Sequence, residues 1–547
     1  MTTRQTLDLL RAHESRNVTF IEPDGSWPVV WERARGVHVW DADGKKYLDL
    51  TAAFGVAAAG HANPGVVRAG QKQMARLLHA MGDVHPHALK AQLARELSRI
   101  TFERWGRQST VHGPQPTVHS PRSTVPGGGG RVATGKTIFC NSGFEAVEAA
   151  LKTALMATGK PGVIAFEGGY HGLGYGALNV TQRAHFRSPF RRQLPEFGHF
   201  VAFPKAGQAP PSARRSQEST ALRGAESQIR RLLRREKIGA ILVEPIQVRG
   251  GIHIPPPGFL PMLRRLCDEH RALLILDEIY TGFGRTGKWF ACEHSAAVPD
   301  IICLGKALTG GFPLSACVGR AELMDAAWPP SSGEAIHTST FLGHPVGCAM
   351  GLAQIREIEA RKLVQRSAEL GTRLLASLAT LAAQSPTLDM APRGLGLLAG
   401  LEVRQADGAP ATGIVLKAMK TLLQRGFIFL PEGEHANVIG FTPPLTITAT
   451  QLDAAVDAMG AILLTRRRDR EQGGTPLPGP LPFGRGEGEV SAALPFRRRK
   501  GKSSAALRVV REQRGTPLPG PLPFGRGEGE DSAALRAVRA GDSPATT

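Results

Sequence analysis

The chain has 547 residues, 42% hydrophobic and 21% charged, which is the composition of a globular protein. No apolar run reaches the roughly 18 residues that a membrane span requires, and the N-terminus lacks the apolar core of a secretory signal. The net charge of +20 is regional: residues 466–547 hold 16 basic against 9 acidic side chains, and residues 183–237 hold 13 against 4. Because the excess is concentrated in these two regions, we do not interpret the charge as a sign of nucleic-acid binding.

The six cysteines are scattered along the chain and form no CxxC pair. Free thiols in a reducing compartment fit this spacing better than a disulfide framework or a zinc site does. We therefore expect a cytoplasmic protein that holds no metal.

A low-complexity segment at residues 107–130 interrupts the first half of the chain. It is rich in Pro, Ser, Thr and Gly and contains a seven-residue repeat that begins at Thr110, Thr117 and Thr124. Such a stretch has too little apolar surface to order itself, and a long loop carries only a weak entropic penalty. We interpret it as a surface insertion.

An alternating pattern of strands and helices follows. The run TIFC (137–140) predicts a short strand, and a helix follows over 144–158 and stops at Gly159. Further short apolar runs fit buried parallel strands: 163–166, 240–244, 272–278 and 301–304. Helical spacing fills 257–270 and about 346–375, and an α+β unit occupies 367–465. This alternation predicts a doubly wound α/β sheet that binds ligands at the C-terminal ends of its strands.

The chain ends in a repetitive segment that begins at about Arg466. The sequence GTPLPGPLPFGRGEGE occurs at 474–489 and again at 515–530. Proline at nearly every second position excludes helix and central strand, so residues 466–547 are predicted to be a disordered tail.

Two predicted strands end in charged residues. Asp277 and Glu278 close the run at 272–278, and Lys306 follows the run at 301–304. Adjacent parallel strands would place Asp277 and Lys306 at the same edge of the sheet. From the residues alone, two interpretations remain open: a buried Asp277–Lys306 ion pair, or a lysine kept as a reactive amine beside a catalytic carboxylate.

Two further motifs follow predicted strands. Ser142 and Gly143 precede a helix N-terminus, which serves either as an anion cradle or simply as a helix cap. Tyr170 and His171 lie among glycines, either in an ordinary loop or where a ring stacks on a flat cofactor. A lysine, a carboxylate, an anion cradle and an aromatic ring are together the set that a phosphorylated heteroaromatic aldehyde requires.

These motifs resemble those of the class III (ω-type) aminotransferases, which are pyridoxal-phosphate enzymes of fold type I. The resemblance spans about residues 20–465 and rests on VWDADGKKYLDLTAAFGVAAAGHANP, VEPIQVRGG, HTSTFLGHPVGCA and the block from LDEIYTGFGRTG to LGKALTGGFPLSA. It implies a large cofactor-binding domain over 76–366, with a mostly parallel central sheet flanked by helices. It also implies a smaller α+β domain built from both chain ends, 1–75 and 367–465.

The resemblance also implies a role for each matching residue. Lys306 forms a Schiff base with pyridoxal 5'-phosphate and moves the proton during the reaction, while Asp277 pairs with the pyridinium nitrogen. Further cofactor contacts are implied for Ser142, Gly143, Phe144, Tyr170, His171 and Thr340. Thr340 would reach the phosphate from the neighbouring subunit, which implies a homodimer with shared active sites.

The substrate end of the pocket is implied to contain Glu244 and Phe54, and here the sequence departs from its relatives. Gly440 stands where ornithine- and 4-aminobutyrate-type members have an arginine that binds a substrate carboxylate and pairs with the residue matching Glu244. Arg249 is a candidate replacement; otherwise Glu244 is free to hold a cationic substrate end. Two smaller departures are Phe144 in place of Thr, Ala or Val, and Tyr280 in place of Gln.

The implied activity is transfer of an amino group, expected to be a terminal one, from an amine or amino acid to an oxo acid. Lys306 and Asp277 serve equally well in an aminomutase, epimerase or decarboxylase of the same fold, so those reactions stay open. A third hypothesis is that the insertion and the tail mark a chain that has lost catalysis and binds partners through its basic segments.

Overall fold

The computed structural model describes residues 1–109, 133–206 and 211–464. Most of the predicted insertion and the whole predicted tail lie outside these residues. The strands are β1 Trp31–Arg35, β2 His38–Asp41, β3 Lys46–Asp49, β4 Gly135–Cys140, β5 Gly162–Phe166, β6 Gly198–Val201, β7 Ile238–Val243, β8 Leu273–Asp277, β9 Ile301–Leu304, β10 Ser315–Arg320, β11 Leu388–Leu395, β12 Leu398–Gln405, β13 Phe427–Ile428, β14 Leu430–Glu432 and β15 Val438–Phe441.

Helices separate most of these strands. They are α1 Thr3–His13, α2 Ala52–Gly55, α3 Pro64–Arg76, α4 Ala88–Ile100, α5 Phe102–Ser109, α6 Gly143–Thr158, α7 Tyr175–Val180, α8 Ala184–Arg187, α9 Pro211–Arg235, α10 Phe259–His270, α11 Ala321–Ala327, α12 Pro345–Ala360, α13 Leu363–Ala383, α14 Thr412–Gln424 and α15 Ala449–Leu463. Short 3₁₀ turns add Ser188–Gln193, Ala291–His294 and Lys306–Leu308.

A central sheet of seven strands has the order β4-β10-β9-β8-β7-β5-β6. The strands β9, β8, β7, β5 and β6 pair in parallel, whereas β10 pairs antiparallel with both β4 and β9. Every residue of β5, β7, β8 and β9 is buried. The predicted mostly parallel sheet flanked by helices is thereby confirmed.

The two faces of this sheet enter different apolar cores, because successive side chains on a strand point to opposite sides. On β8, Leu274 and Leu276 join the core that contains α10, while Leu273 and Ile275 join the core that contains α6. Each fully buried Leu or Ile contributes on the order of 1.5–3 kcal/mol. Both faces of the central sheet are therefore covered by apolar cores. A ligand can reach this sheet at the edge where the strands end.

Two smaller sheets complete the fold. One has the order β1-β2-β3-β13 and joins the chain ends, since β3 near the N-terminus pairs in parallel with β13 near the C-terminus. The other, β11-β12-β15-β14, is antiparallel throughout. This pairing confirms a smaller α+β part drawn from both ends of the chain, while the residue boundaries of the domains remain a prediction.

The predicted elements agree with the structure except at one helix. Strand β9 has the predicted bounds, and α6 ends at Thr158 because Gly159 adopts a left-handed conformation (φ +65°). The helix expected over about 346–375 is two helices, α12 and α13, because Lys362 between them is left-handed (φ +50°). Among the helices of the described residues, none has both the length and the apolar character for a membrane span.

Candidate active site

A cavity of about 990 Å³ lies beside the ends of the central strands. Eight of the residues predicted for the site line it: Phe54, Gly143, Phe144, Tyr170, His171, Glu244, Asp277 and Lys306. The structure thus brings together residues that are up to about half the chain apart in sequence. Of the other predicted residues, Ser142 lies immediately before Gly143, and Thr340 is exposed on the loop between α11 and α12.

Asp277 and Lys306 reach this cavity from neighbouring strands. Asp277 is the last residue of β8 and lies opposite Cys303 of the parallel strand β9, and Lys306 begins the turn after β9. Lys306 has a left-handed backbone (φ +44°), which costs a non-glycine residue on the order of 1 kcal/mol. Within the described residues Lys306 forms no salt bridge, so the simple Asp277–Lys306 ion pair is absent.

The environment of Lys306 lowers the pKa of its amine. Burial lowers the pKa of Lys306, while the nearby charges of Asp277 and Glu244 act in the opposite direction. Its Nζ lies 4.6 Å from the centre of the Tyr280 ring. An amine with a lowered pKa is a better nucleophile and base near neutral pH than an ordinary lysine is.

His171 fixes the orientation of Asp277. Its Nδ1 lies 2.8 Å from Oδ2 of Asp277, and the backbone N–H of Ile279 donates to Oδ1 at 3.1 Å. Both partners are buried, with His171 3% exposed and Asp277 5% exposed. His171, which was predicted to contact the cofactor, therefore takes part in the site through its contact with the carboxylate of Asp277. Its position in a glycine-rich loop did not indicate this contact.

The two consecutive carboxylates at the end of β8 have different environments. Glu278 lies outside the cavity lining and accepts hydrogen bonds from Thr281 Oγ1 and from the backbone N–H groups of Ala291 and Cys292. It therefore holds the start of a 3₁₀ turn and serves the fold. The separation follows from the strand geometry, since consecutive side chains point to opposite sides.

The start of α6 has the features of an anion cradle. Ser142 caps this 16-residue helix, yet its Oγ is buried and has no hydrogen-bond partner among the described residues. The first backbone N–H groups of a helix have no acceptor within the helix, and its dipole favours negative charge there. A hydroxyl without a partner beside free N–H groups fits a phosphate, so the residues present suit pyridoxal phosphate.

A glycine-rich loop closes one wall of the cavity against Phe144. A Cβ atom at Gly172 would lie 2.3 Å from Cβ of Phe144, and one at Gly174 would lie 2.5 Å from its ring. Glycine is therefore required at both positions. The side chain of Phe144 forms part of the cavity wall, and its backbone N–H lies in the first turn of α6. Tyr170 in the same loop packs edge-on against Phe186, with ring centres 5.5 Å apart.

A strained segment presents Phe54 to the cavity. Ala52, Ala53 and Phe54 all have positive φ angles, and with Gly55 they form what we call the left-handed turn (Ala52–Gly55). Asp49 holds its entrance by accepting hydrogen bonds from the N–H groups of Thr51 and Ala53. Asp49 also pairs with His61 at 2.7 Å, and both side chains are buried. The Phe54 ring is 49% exposed.

Tyr280 lies between the left-handed turn and Lys306. Its hydroxyl is 3.3 Å from Oγ1 of Thr442, and a Cβ atom at Gly55 would approach its ring to 2.9 Å. Burial raises the pKa of Tyr280, so the hydroxyl stays protonated. The tyrosine thus forms part of the cavity wall at the position where the sequence resemblance implied a glutamine.

Glu244 is buried in the cavity wall. It accepts hydrogen bonds from the backbone N–H groups of Tyr170 at 3.0 Å and Val248 at 3.2 Å. Burial raises the pKa of Glu244 to about 7. This carboxyl therefore titrates near neutral pH, and it forms no salt bridge with Arg249 or with any other described residue.

Several charged or titratable residues in or beside the cavity were absent from the predicted site, and two of them, Arg183 and Glu432, contact Arg249. Arg183 lines the cavity and donates from Nη2 to the backbone oxygen of Arg249 at 2.6 Å. Glu432 on β14 forms an ion pair with Nη1 of Arg249 at 3.6 Å. In the sequence, Arg183 stood out only as one of the basic residues of the stretch 183–237. No local sequence pattern indicated that Glu432 would lie near the site.

The fold and the site define a transferase of the pyridoxal-phosphate fold type I. The family model described as Aminotransferase class-III matches residues 21–463. The 5-aminovalerate aminotransferase of Pseudomonas aeruginosa is 35% identical over 428 residues, which cover 78% of this chain and 91% of that protein. The putrescine aminotransferase of Pectobacterium atrosepticum is 36% identical over 433 residues, 78% of this chain and 81% of that protein.

A solved structure supports the same assignment. An amine transaminase from an uncultivated Pseudomonas species, in its PLP-bound form, aligns with a TM-score of 0.69 and 28% identity, covering 82% of this chain and 97% of that one. The chain belongs to the class-III aminotransferases and is a pyridoxal-phosphate-dependent transaminase. The predicted family, fold type, reaction and cofactor are confirmed, and these relatives are transaminases rather than aminomutases, epimerases or decarboxylases.

Proposed function

We propose that this transaminase moves a terminal amino group from an amine or ω-amino acid to an oxo acid, using Lys306 and Asp277 as its catalytic residues. The observation that carries the proposal is the placement of Lys306, which lines the cavity, forms no ion pair with any described residue, and follows the strand that pairs in parallel with the strand of Asp277. The relatives named 5-aminovalerate and putrescine aminotransferase support a terminal amine.

Each residue has a distinct task in this proposal. When bound, pyridoxal phosphate accepts the amino group and withdraws electrons from the carbon that loses a proton. Lys306 Nζ would hold the cofactor and, once the donor has taken its place, would act as the base that moves the proton. Asp277, which His171 orients, would supply a negative charge to the ring nitrogen of the cofactor. The lowered pKa of Lys306 suits this proton transfer near neutral pH.

The remaining residues bind and position. Ser142, Gly143 and the backbone of Phe144 would hold the phosphate, and Tyr170 would lie against the ring. Glu244 and Phe54 would contact the substrate. Burial leaves the Glu244 carboxyl ionised in only part of the molecules near neutral pH, so it suits a hydrogen bond to a polar or cationic end of the donor.

We also propose a homodimer in which Thr340 of each subunit reaches the phosphate of the other. Thr340 is exposed, and large apolar side chains are exposed on its own loop and on the segment packed against it. The two segments are joined by a hydrogen bond from Thr338 to Asp83 and by ring contact between His79 and Phe341. The exposed side chains are Met74, Leu77, Leu78, Met81, Val84, Ile336 and Phe341. A second copy covering this patch would place the active sites at the interface, and we propose a cytoplasmic location for the dimer.

The test begins with the purified protein and added pyridoxal phosphate. Borohydride reduction followed by peptide mass analysis should find the cofactor covalently attached to Lys306. The Lys306→Ala variant should bind the cofactor without a covalent bond, so that reduction leaves no label at this position. Turnover with 5-aminovalerate or putrescine and an oxo acid should be net amino transfer. A cofactor attached to a different lysine, or product formed without any oxo acid, would contradict the proposal.

The dimer has its own test. Sedimentation should give twice the chain mass. Mixing Lys306→Ala with Thr340→Ala subunits tests whether sites are shared. If Thr340 acts across the interface, a mixed dimer has one site carrying both defects and one intact site, so mixing restores activity. No recovery on mixing would place Thr340 in its own subunit's site or outside the site.

A further inference from the structure

The aromatic ring of Tyr280 faces the amine of Lys306. Nζ of Lys306 is 4.6 Å from the ring centre, a distance at which the face of an aromatic ring attracts a cation. Tyr280 is 8% exposed, and its ring belongs to an apolar cluster with Ile246, Val248 and Ile252. This attraction is strongest where water is excluded, so the ring can act on the charge of the amine.

The hydroxyl of Tyr280 is engaged away from Lys306. It lies 3.3 Å from Oγ1 of Thr442, which itself donates to the backbone oxygen of Thr51 at 3.1 Å. A hydroxyl has a single proton, so Thr442 must accept from Tyr280. On the other side, Gly55 leaves the ring no room to turn, since a Cβ atom there would lie 2.9 Å from it. The amine therefore meets the face of the ring and not its oxygen.

The charged groups near Lys306 have partners of their own. Those that act on its amine are three carboxyls and one guanidinium: Asp277, Glu244, Glu432 and Arg249. Asp277 is bonded to His171, and Glu244 accepts hydrogen bonds from two backbone N–H groups. The third carboxyl pairs with the guanidinium. Across the described ranges the amine forms no ion pair, and its cation-binding contact is the Tyr280 ring.

A ring face suits an amine that changes its charge during a reaction. A base that takes up a proton and gives it back must be stable in both charge states. Burial lowers the pKa of Lys306, so its ammonium form needs support, yet an ion pair would hold it in that form. An aromatic face attracts the ammonium without carrying a net charge or exchanging a proton. Tyr280 can thus favour uptake of the proton without preventing its release.

We propose that Tyr280 is a further catalytic residue, whose ring face stabilises Lys306 Nζ while this amine carries the proton of the amino transfer. The inference rests on the proposed function of Lys306 as the base and adds a residue to it. The proton binds to the lone pair of Nζ and leaves it again, and the Tyr280 hydroxyl keeps its own proton in the bond to Thr442. The position is one where the resemblance implied a glutamine.

The test measures the protonation of Lys306 in the full-length apo-protein. Its acetylation by trace acetic anhydride is followed against pH by peptide mass analysis; only the neutral amine reacts, so the midpoint of the curve reports its charge. Tyr280→Leu removes the ring and should lower this midpoint by about 0.5–1.5 pH units. Tyr280→Phe keeps the ring and should leave the midpoint nearly unchanged. An unmoved midpoint in Tyr280→Leu, or equal shifts in both variants, would overturn the proposal.

Two further variants separate the ring from general packing. Tyr280→Met fills more of the space than leucine does, should shift the midpoint in the same direction, and replaces Tyr280→Leu if that variant does not fold. Phe186→Leu removes another ring from the same cavity, one that packs against Tyr170 and His185. Its midpoint should match that of the wild type. A shift as large as that of Tyr280→Leu would overturn the proposal, because loss of any ring in the cavity would then be enough.

The pH profile of turnover tests the use of this contact in the reaction. In the enzyme with cofactor, the acid limb of the kcat profile should move to lower pH in Tyr280→Leu and stay in place in Tyr280→Phe. A shifted labelling midpoint with an unmoved limb would overturn the catalytic role. An unmoved midpoint in an active enzyme rejects this inference alone, whereas a shifted midpoint in a protein without amino transfer rejects the proposed reaction.

Discussion

Replacement of His171 tests how the site orients its catalytic carboxylate. His171→Ala removes the 2.8 Å contact to Oδ2 of Asp277 and leaves Oδ1 with its 3.1 Å bond from the Ile279 N–H. Oδ2 is then a buried carboxylate oxygen without its closest donor. We expect Asp277 to turn and to lose its fixed position at the ring nitrogen of the cofactor.

The magnitude follows from the type of bond. A hydrogen bond to a charged group contributes about 1.5–3 kcal/mol, and loss of that energy corresponds to about a 10- to 150-fold change in an equilibrium constant. Since Asp277 is only 5% exposed, water replaces little of the lost contact. We therefore expect the dissociation constant of pyridoxal phosphate to rise by roughly this factor.

The assay is titration of the apo-protein with pyridoxal phosphate, followed by absorbance, together with thermal unfolding of the apo-protein. His171→Asn is the informative second variant, because its amide can donate to Oδ2 without an aromatic ring. It should recover most of the lost affinity. His185→Ala is a matched control, since His185 lines the cavity and is exposed.

Two results would refute this reasoning. Wild-type affinity in His171→Ala would mean that the hydrogen bond does not orient Asp277. Equal weakening in His171→Ala and His171→Asn would mean that packing of the ring, rather than the bond, supports the cofactor.

Three further predictions concern other parts of the site. Gly172→Ala should destabilise the protein by more than about 3 kcal/mol, because its Cβ would overlap Phe144, whereas Gly408→Ala, also at positive φ but with free space, should cost about 1 kcal/mol in urea unfolding. Asp49→Ala removes the anchor of the left-handed turn and should cost about 3 kcal/mol by the same measurement; an unchanged midpoint would contradict that role. The pKa of Glu244 rises from 4.5 to about 7 on folding. Between these pH values the Glu244 carboxyl is protonated in the folded apo-protein and ionised in the unfolded chain. The free energy of unfolding therefore falls by about 1.4 kcal/mol per pH unit as the pH rises. Glu244→Gln should remove that much of the slope, and an unaltered slope would show that Glu244 is already ionised.

Much of the catalytic centre was predictable from local sequence. Short buried apolar runs specify parallel strands, and parallel strands end at one edge, so Asp277 and Lys306 had to lie near each other. A serine before a long helix likewise places free N–H groups at Gly143 whatever the rest of the fold does. These features depend on backbone geometry within a few residues or between adjacent strands, and the sequence encodes them directly.

Tertiary packing alone decided how the charges are paired. Asp277 is bonded to His171, 106 residues away, rather than to Lys306. Arg183, Arg249 and Glu432 meet from two loops and a strand of another sheet, and Glu432 takes the space above Gly440. Such partners are set by how sheets and loops pack in three dimensions, and periodicity along one segment carries no information about them. For that reason the sequence by itself determined the chemistry of this protein, and only the folded structure showed how its substrate pocket is charged.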